Sequence, residues 1–170
     1  KRLNAGCGGV MDLSAGQIDR LIFDGGSTSN NQTTDGDGGA FCAKVNLSLS
    51  IKNHSINSNK SKQGNGGFIS LSGPSNPSVK LEESGKISGN EASLDGGVLF
   101  AQQTGNFEVN GKYENNSNMG IYLNRAQNGG AFYVGNVNGS VDLRQHHSVR
   151  AILYDFHTNR LVDPDKDNGK

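Results

Sequence analysis

The chain has 170 residues, of which 32% are hydrophobic and 6% aromatic, and 25 are glycine. That is too little apolar material for a conventional core of amphipathic helices, and no window carries a sustained 3.6-residue apolar stripe. The 16 basic and 16 acidic side chains balance, so neither nucleic acid nor an anionic membrane is favoured as a partner. No apolar run approaches the ~18 residues of a membrane span, so we expect no insertion into a bilayer.

A Gly-Gly pair followed by apolar residues recurs at intervals of about 30 residues, with copies beginning at Gly8, Gly38, Gly66, Gly96 and Gly129. After each pair, the second and fourth residues are apolar and the third and fifth are mixed. This period of two predicts a strand with one buried face. We expect the residues in second place to stack in one buried column, formed by Met11, Phe41, Ile69, Leu99 and Phe132.

Two further motifs follow in each repeat. A short alternation predicts a second strand, with copies at Leu47-Ser48-Leu49, Val79-Lys80-Leu81, Phe107-Glu108-Val109 and Val141-Asp142-Leu143, and a looser version opening at Ile18. An apolar residue, two variable residues and Asn then precede the next Gly pair, at 56–59, 87–90, 121–124 and 156–159. The amides of this slot are expected to form a hydrogen-bonded ladder through successive coils, made of Asn59, Asn90, Asn124 and Asn159.

Strands this short become stable only when the repeats stack. The sequence therefore predicts an all-β fold, a right-handed parallel β-helix of about five coils with three short strands per coil. Residues 1–170 form a single segment with a repeat core at about 8–159, and 160–170 are a polar tail or an incomplete next coil. Because the chain opens on Lys1, we expect it to be a processed product or a fragment of a longer polypeptide.

The two cysteines fit neither a metal-ligand spacing nor a dense disulfide framework. Two unrelated thiols and one incidental bridge both stay open. Cys42 stands third after its Gly pair, in the column of Asp12 and Ser70, so we expect it to point outward or lie at a corner. We expect no functional centre at Cys7 or Cys42.

The repeats resemble those of the polymorphic outer membrane proteins, a family of chlamydial autotransporters. The family's signature is Gly-Gly-Ala followed by an aliphatic residue, paired with Phe-x-x-Asn. Residues 121–132 come close to the joined form, and 87–98 hold a second copy with Ile for Phe. The chain departs from the family at Phe41 and Phe132, which replace the aliphatic residue, and at 107–110, where Phe-x-x-Asn falls on the predicted second strand.

The resemblance implies a passenger segment that is secreted through an outer-membrane barrel, lies at the cell surface and adheres to host cells. A host-cell or extracellular protein or a glycan is the partner that it implies. Both family motifs are implicated in adhesion, which transfers to Gly38, Gly39, Ala40, Phe41, Asn59, Asn90, Phe107, Asn110, Asn124, Gly129, Gly130, Ala131, Phe132, Phe156 and Asn159.

Parallel β-helices also carry polysaccharide lyases and hydrolases, which need clustered carboxylates on neighbouring coils. The strand acids fall in at least two columns, and we expect no column to stack two acids in adjacent coils. The best enzyme-like cluster is Arg144 with His146-His147. No nucleophile elbow, zinc-binding pair or phosphate loop occurs. We therefore predict a non-enzyme with no catalytic residue, no metal site and no cofactor.

The favoured function is an extracellular recognition or adhesion module that displays loops on a rigid rod. The segments 27–37, 73–77 and 113–120 interrupt the repeat and are the predicted loops. Two alternatives stay open. The first is a structural subunit that associates end to end into a filament or surface layer, because a parallel stack has open edges. The second is a β-helix polysaccharide lyase or hydrolase.

Overall fold

A computed structural model describes residues 6–15, 18–74, 78–82, 85–112, 121–142, 145–146, 153–155 and 160–162. They form an all-β parallel solenoid of about four turns of ~30 residues, with three or four short strands per turn. The predicted fold class is confirmed. The prediction of five coils is corrected to about four, because five Gly pairs enclose only four complete repeats.

The strands, in chain order, are β1 (Met11–Leu13), β2 (Arg20–Asp24), β3 (Ser27–Ser29), β4 (Gln32–Thr33), β5 (Phe41–Ala43), β6 (Ser48–Lys52), β7 (Ser55–Asn57), β8 (Lys60–Ser61), β9 (Ile69–Leu71), β10 (Val79–Glu82), β11 (Ile87–Ser88), β12 (Glu91–Ala92), β13 (Leu99–Thr104), β14 (Phe107–Lys112), β15 (Ile121–Tyr122), β16 (Phe132–Val137), β17 (Val141–Asp142), β18 (Gln145–His146), β19 (Leu153–Asp155) and β20 (Arg160–Val162).

The strands that follow the Gly pairs form the first sheet, in the order β1-β5-β9-β13-β16. Its register aligns the predicted column, namely Met11, Phe41, Ile69, Leu99 and Phe132. Phe41, Ile69 and Leu99 are buried, whereas Met11 is 45% exposed. The alignment is therefore confirmed, but the predicted burial of Met11 was wrong. Met11 is exposed because, among the described strands, β1 has a neighbour on one side only.

The Gly pairs form the corner that leads into this sheet. Gly66 has a φ of 65°, in the left-handed region that glycine adopts without strain. A Cβ on Gly67 would overlap the carbonyl oxygen of Gly97 in the next coil. The corner also turns the residue directly after the pair into the core, which the alternation did not predict: Ala40, Phe68, Val98 and Ala131 are all buried.

The second sheet has the order β2-β6-β10-β14-β17, and β18 also pairs with β14. Its register aligns Leu49, rather than Leu47, with Val79. The first coil's strand begins at Arg20 rather than near Ile18. The sequence alignment was wrong by two residues at Leu47, and a two-residue slip keeps the same side chains on the inner face. In the first coil, Leu21 is the partner of Leu49 and lies three residues after Ile18. This odd slip places Leu21 and Phe23 against the core and leaves Ile22 53% exposed.

Two narrower sheets complete each turn, β3-β7-β11-β15 and β4-β8-β12. The sequence missed the second of them, because its two-residue strands are too short to show an alternation. The segment 27–37 is not the predicted loop, since it holds β3 and β4. Residues 75–77 and 113–120 of the other predicted loops lie outside the described residues.

Aromatic side chains fill the core near the first coils. The rings of Phe23, Phe41 and Phe68 meet edge to face, with centroids 5.0 to 5.5 Å apart. This geometry suits aromatic rings better than a face-to-face sandwich. The core therefore contains more aromatic packing than the low aromatic content indicates.

The last two described strands, β19 and β20, pair antiparallel in a sheet of their own. The described residues include no helix long and apolar enough to cross a membrane.

Candidate functional site

The predicted Asn slot forms a ladder inside the solenoid, which we call the inner ladder. Asn59, Asn90 and Asn124 are fully buried. The Nδ2 of Asn59 donates to Oδ1 of Asn90 at 3.0 Å, and the Nδ2 of Asn90 donates to Oδ1 of Asn124 at 2.8 Å. Each accepting Oδ1 also receives the backbone N–H of the donating residue, at 3.0 and 2.9 Å. The predicted ladder is confirmed for these three residues.

The same amides tie each coil to the previous one. The Nδ2 of Asn90 donates to the carbonyl oxygen of Ile56 at 2.9 Å, and that of Asn124 to Ile87 at 3.1 Å. Both hydrogens and the oxygen of the Asn90 amide are therefore used, which is what a buried polar group requires.

The ladder begins one coil earlier than the sequence predicted. Asn31 donates from Nδ2 to Oδ1 of Asn59 at 2.9 Å, and Thr28 pairs with Ile56 in the sheet register. The first coil therefore fills the slot with 28–31, a copy that the sequence analysis did not include. The sequence motif was missed here because Thr28, a polar residue, stands where the other copies have an apolar residue.

Most of the residues that the family resemblance singles out are buried. Ala40, Phe41, Phe107 and Ala131 belong to the hydrophobic core. Gly38, Gly39 and Gly130 are buried at the corners, while Gly129, Phe132 and Asn110 are partly buried. Phe156 and Asn159 lie outside the described residues. These side chains pack the solenoid, and their part in adhesion stays a prediction.

A second ladder, which the sequence reasoning missed, runs along the surface and is called the outer ladder here. It consists of the residue before each of the last four Gly pairs, namely Asp37, Asn65, Asp95 and Asn128. Asn65 donates from its backbone N and from Nδ2 to Oδ1 of Asp37, at 2.7 and 3.1 Å. The backbone N of Asp95 donates to Oδ1 of Asn65 at 3.1 Å, and Nδ2 of Asn128 donates to Oδ1 of Asp95 at 2.8 Å. The recurrence of Asp or Asn before the Gly pair was the signal available in the sequence.

A groove of about 550 Å³ lies between the outer ladder and the outer face of the first sheet. Its lining comes from Asp37, Asn65, Ser72, Asp95, Phe100, Gln102, Tyr133, Gly135 and Asn136. Phe100 and Tyr133 stand third after their Gly pairs, on the face of the strand opposite the core. Their rings stack with centroids 5.4 Å apart and planes 11° apart, and both side chains are partly exposed. The groove thus combines an aromatic pair with carboxylates and amides.

The charge of this lining has one sign. The lining contains two acidic residues, Asp37 and Asp95, and it contains no Lys, Arg or His. Both carboxylates accept their ladder hydrogen bonds through Oδ1. The groove is therefore an anionic, acceptor-rich surface.

A disulfide joins the two columns that line the groove, and neither cysteine belongs to the lining itself. Cys7 occupies the place of the outer ladder in the first coil, and Cys42 occupies the place of Phe100 and Tyr133 in the second. The Cα atoms are 5.0 Å apart. Cys42 lies in the outward column as predicted, but it is fully buried, as is Ser70 beside it in the next coil. Of the two alternatives left open, the structure has the single bridge.

The outer face of the second sheet carries a group of charges. Glu108 and Asp142 are direct neighbours in the register of adjacent coils, so the prediction that no column stacks two acids was wrong. The error came from treating these acids as members of different columns. Lys80 Nζ lies 2.8 Å from Glu82 and 3.8 Å from Glu108. The hydrogen bond to Glu82, with the charges of Glu82 and Glu108, raises the pKa of Lys80.

The enzyme-like cluster predicted from the sequence is only partly covered by the structure. Arg144 and His147 lie outside the described residues, and His146 is the last residue of β18. Within the described ranges, no three His, Cys, Asp or Glu side chains are grouped so that they could hold a metal ion.

Comparisons with protein-family models, with curated proteins and with solved structures found no match. The class of the chain is defined by its own fold, which is a parallel β-solenoid.

Proposed function

We propose that the chain is a non-catalytic extracellular recognition module, a segment of an adhesin similar to the passengers of the polymorphic outer membrane proteins. The groove beside the outer ladder is its contact surface. The observation that carries this proposal is the Phe100–Tyr133 stack, which leaves two aromatic rings partly exposed on an outer strand face. Aromatic side chains on a surface supply large contact area and dominate binding energy in many interfaces.

The rigidity of the support favours recognition over a loose contact. Phe100 and Tyr133 stand on paired strands, β13 and β16, whose register holds five residue pairs. A binding site built on strands keeps its geometry better than one built on loops. A partner therefore meets a surface that is already in its binding conformation, which lowers the entropic cost of association.

The Cys7–Cys42 disulfide supports the proposed location. Disulfides persist in oxidising environments such as the cell surface and are rare in reducing ones. An extracellular chain with a thin core also gains more from such a link than a chain with a large core.

Bead adhesion tests the proposal. Fluorescent beads coated with the chain are added to cultured epithelial cells, and bound beads are counted. We expect Tyr133→Ala to lower binding about tenfold, the usual effect of truncating an aromatic residue central to an interface. Ile22→Ala is the matched control, because Ile22 is 53% exposed on β2 and is outside the groove lining. Wild-type beads that bind no better than albumin-coated beads would contradict the proposal.

A second candidate function is polysaccharide cleavage, and the neighbouring acids Glu108 and Asp142 favour it. A carboxylate pair on adjacent coils can act as general acid and base, and Lys80 beside it can stabilise developing negative charge. Incubation with a panel of polysaccharides tests this candidate. Product that appears with the wild type and disappears with Glu108→Gln would favour the enzyme over the adhesin.

A further inference from the structure

We infer that the groove binds a neutral glycan, with a sugar ring packed against the Phe100–Tyr133 pair and its hydroxyls bonded by the outer ladder. This inference rests on the recognition function proposed above and names the chemical class of the partner. Four features of the lining carry it: the rings, the carboxylates, the amides and the space.

The rings supply an apolar surface in a polar groove. Phe100 and Tyr133 are stacked and partly exposed, and Gly135 keeps the neighbouring position of β16 free of a side chain. The C–H face of a sugar ring is the apolar part of a polar molecule. It can cover the aromatic surface while the hydroxyls stay at the rim, which is how amphipathic ligands use aromatic residues.

The carboxylates supply strong acceptors. Asp37 and Asp95 engage the ladder through Oδ1, so Oδ2 of each remains to accept from a ligand. A hydroxyl that donates to a carboxylate makes a charge-assisted hydrogen bond, roughly twice as strong as a neutral one. The two acids lie two coils apart, about 10 Å at the usual strand spacing. They can therefore bind hydroxyls on different parts of one oligosaccharide.

The same charges select against acidic glycans. The lining holds two carboxylates and no basic side chain. A sialylated or sulfated glycan would bring negative charge to this surface without a cation to pair with, which is unfavourable. Neutral glycans are therefore the class of glycan that the charge of the groove favours.

The amides distinguish a neutral glycan from a basic peptide. Asn65, Gln102 and Asn136 offer N–H donors as well as carbonyl acceptors. Arg and Lys side chains carry only donors and would use the carboxylates, so in a basic peptide the backbone carbonyls would have to accept from these amides. A sugar hydroxyl both donates and accepts, and so it matches the whole lining. The volume of about 550 Å³ is within the usual range of ligand sites.

A glycan array and cell binding test the inference together. The chain, multimerised on beads, is applied to an array of neutral, sialylated and sulfated oligosaccharides and to Arg-rich peptides. We expect binding to neutral glycans, lowered about tenfold by Tyr133→Ala and lowered by Asp95→Asn, which keeps a ladder acceptor for Asn128. Ile22→Ala is the control and should bind like the wild type.

Binding confined to acidic glycans or to Arg-rich peptides would overturn the inference, as would an array without any bound glycan. Cells treated with glycosidases separate this failure from failure of the proposed function. Suppose that treated cells still bind beads coated with the wild type but do not bind beads coated with Tyr133→Ala. The groove then recognises a protein, so the glycan inference fails and the recognition function stands. If untreated cells bind no beads, the recognition function itself fails.

Discussion

The inner and outer ladders use the same stacking geometry but differ in composition. The inner ladder repeats Asn in every described coil and is fully buried from Asn59 to Asn124. The outer ladder alternates Asp with Asn and is partly exposed. A buried column is best kept neutral, and an amide can donate to one neighbour while it accepts from the other. Water allows the outer column to carry carboxylates, so burial separates the ladder that stabilises the fold from the ladder that is available to a partner.

The largest effect should come from the inner ladder. Asn90→Ala removes the hydrogen bonds that the Asn90 amide makes with buried groups of Asn59, Ile56 and Asn124. Since an unmade buried hydrogen bond costs roughly 1–3 kcal/mol, we expect the free energy of unfolding to fall by about 3–4 kcal/mol. Urea denaturation measures the loss. Asn65→Ala, the matched change in the outer ladder, should cost about 1 kcal/mol because water replaces the lost bonds. Equal losses at both positions would contradict the comparison.

The disulfide gives the next effect. Cys7 and Cys42 are 35 residues apart, and we expect replacement of both with Ser to lower the free energy of unfolding by about 3 kcal/mol. Thermal unfolding with and without a reductant measures it, because reduced wild type should match the variant. Partner binding should stay unchanged, since neither cysteine belongs to the groove lining. Lost binding at a temperature where the variant is folded would mean that the bridge shapes the groove.

The end of the inner ladder should be less sensitive than its middle. Asn31 is only partly buried and has Asn59 as its ladder neighbour. Asn31→Ala should therefore cost about 1 kcal/mol, well below the loss at Asn90. Comparison of the two urea midpoints gives the ranking. A loss at Asn31 as large as that at Asn90 would show that the ladder does not gain stability from burial.

The smallest effect concerns the exposed ion pair of Lys80 on the second sheet. Its neighbours raise the pKa of Lys80 above the ordinary value of 10.5. The pair therefore stabilises the fold fully below pH 10.5 and loses this effect as the pH rises through the folded-state pKa. The melting-temperature difference between wild type and Lys80→Met should be small at pH 8 and should shrink above pH 10.5. A difference that grows with pH would contradict the assigned contacts.

The sequence predicted the features whose motif recurs in several successive repeats. The column from Phe41 to Leu99 and the Asn slot from Asn59 to Asn124 follow from period and spacing alone. It failed where the signal was short or masked by one substitution, as at Thr28 and in the two-residue strands β4, β8 and β12. The groove needed the structure, because it joins residues of separate strands. Phe100 and Tyr133 are 33 residues apart, and only the register places them side by side.

The central claim is that the inner ladder stabilises the solenoid while the groove on the outer surface binds the partner. One measurement tests this claim most directly. Bead adhesion to epithelial cells is measured for Asn90→Ala and Tyr133→Ala and divided by the folded fraction from circular dichroism at the same temperature. We expect Asn90→Ala to bind like the wild type per folded molecule, and Tyr133→Ala to bind about tenfold less at unchanged stability. Binding lost by fully folded Asn90→Ala, with full binding by Tyr133→Ala, would contradict the claim.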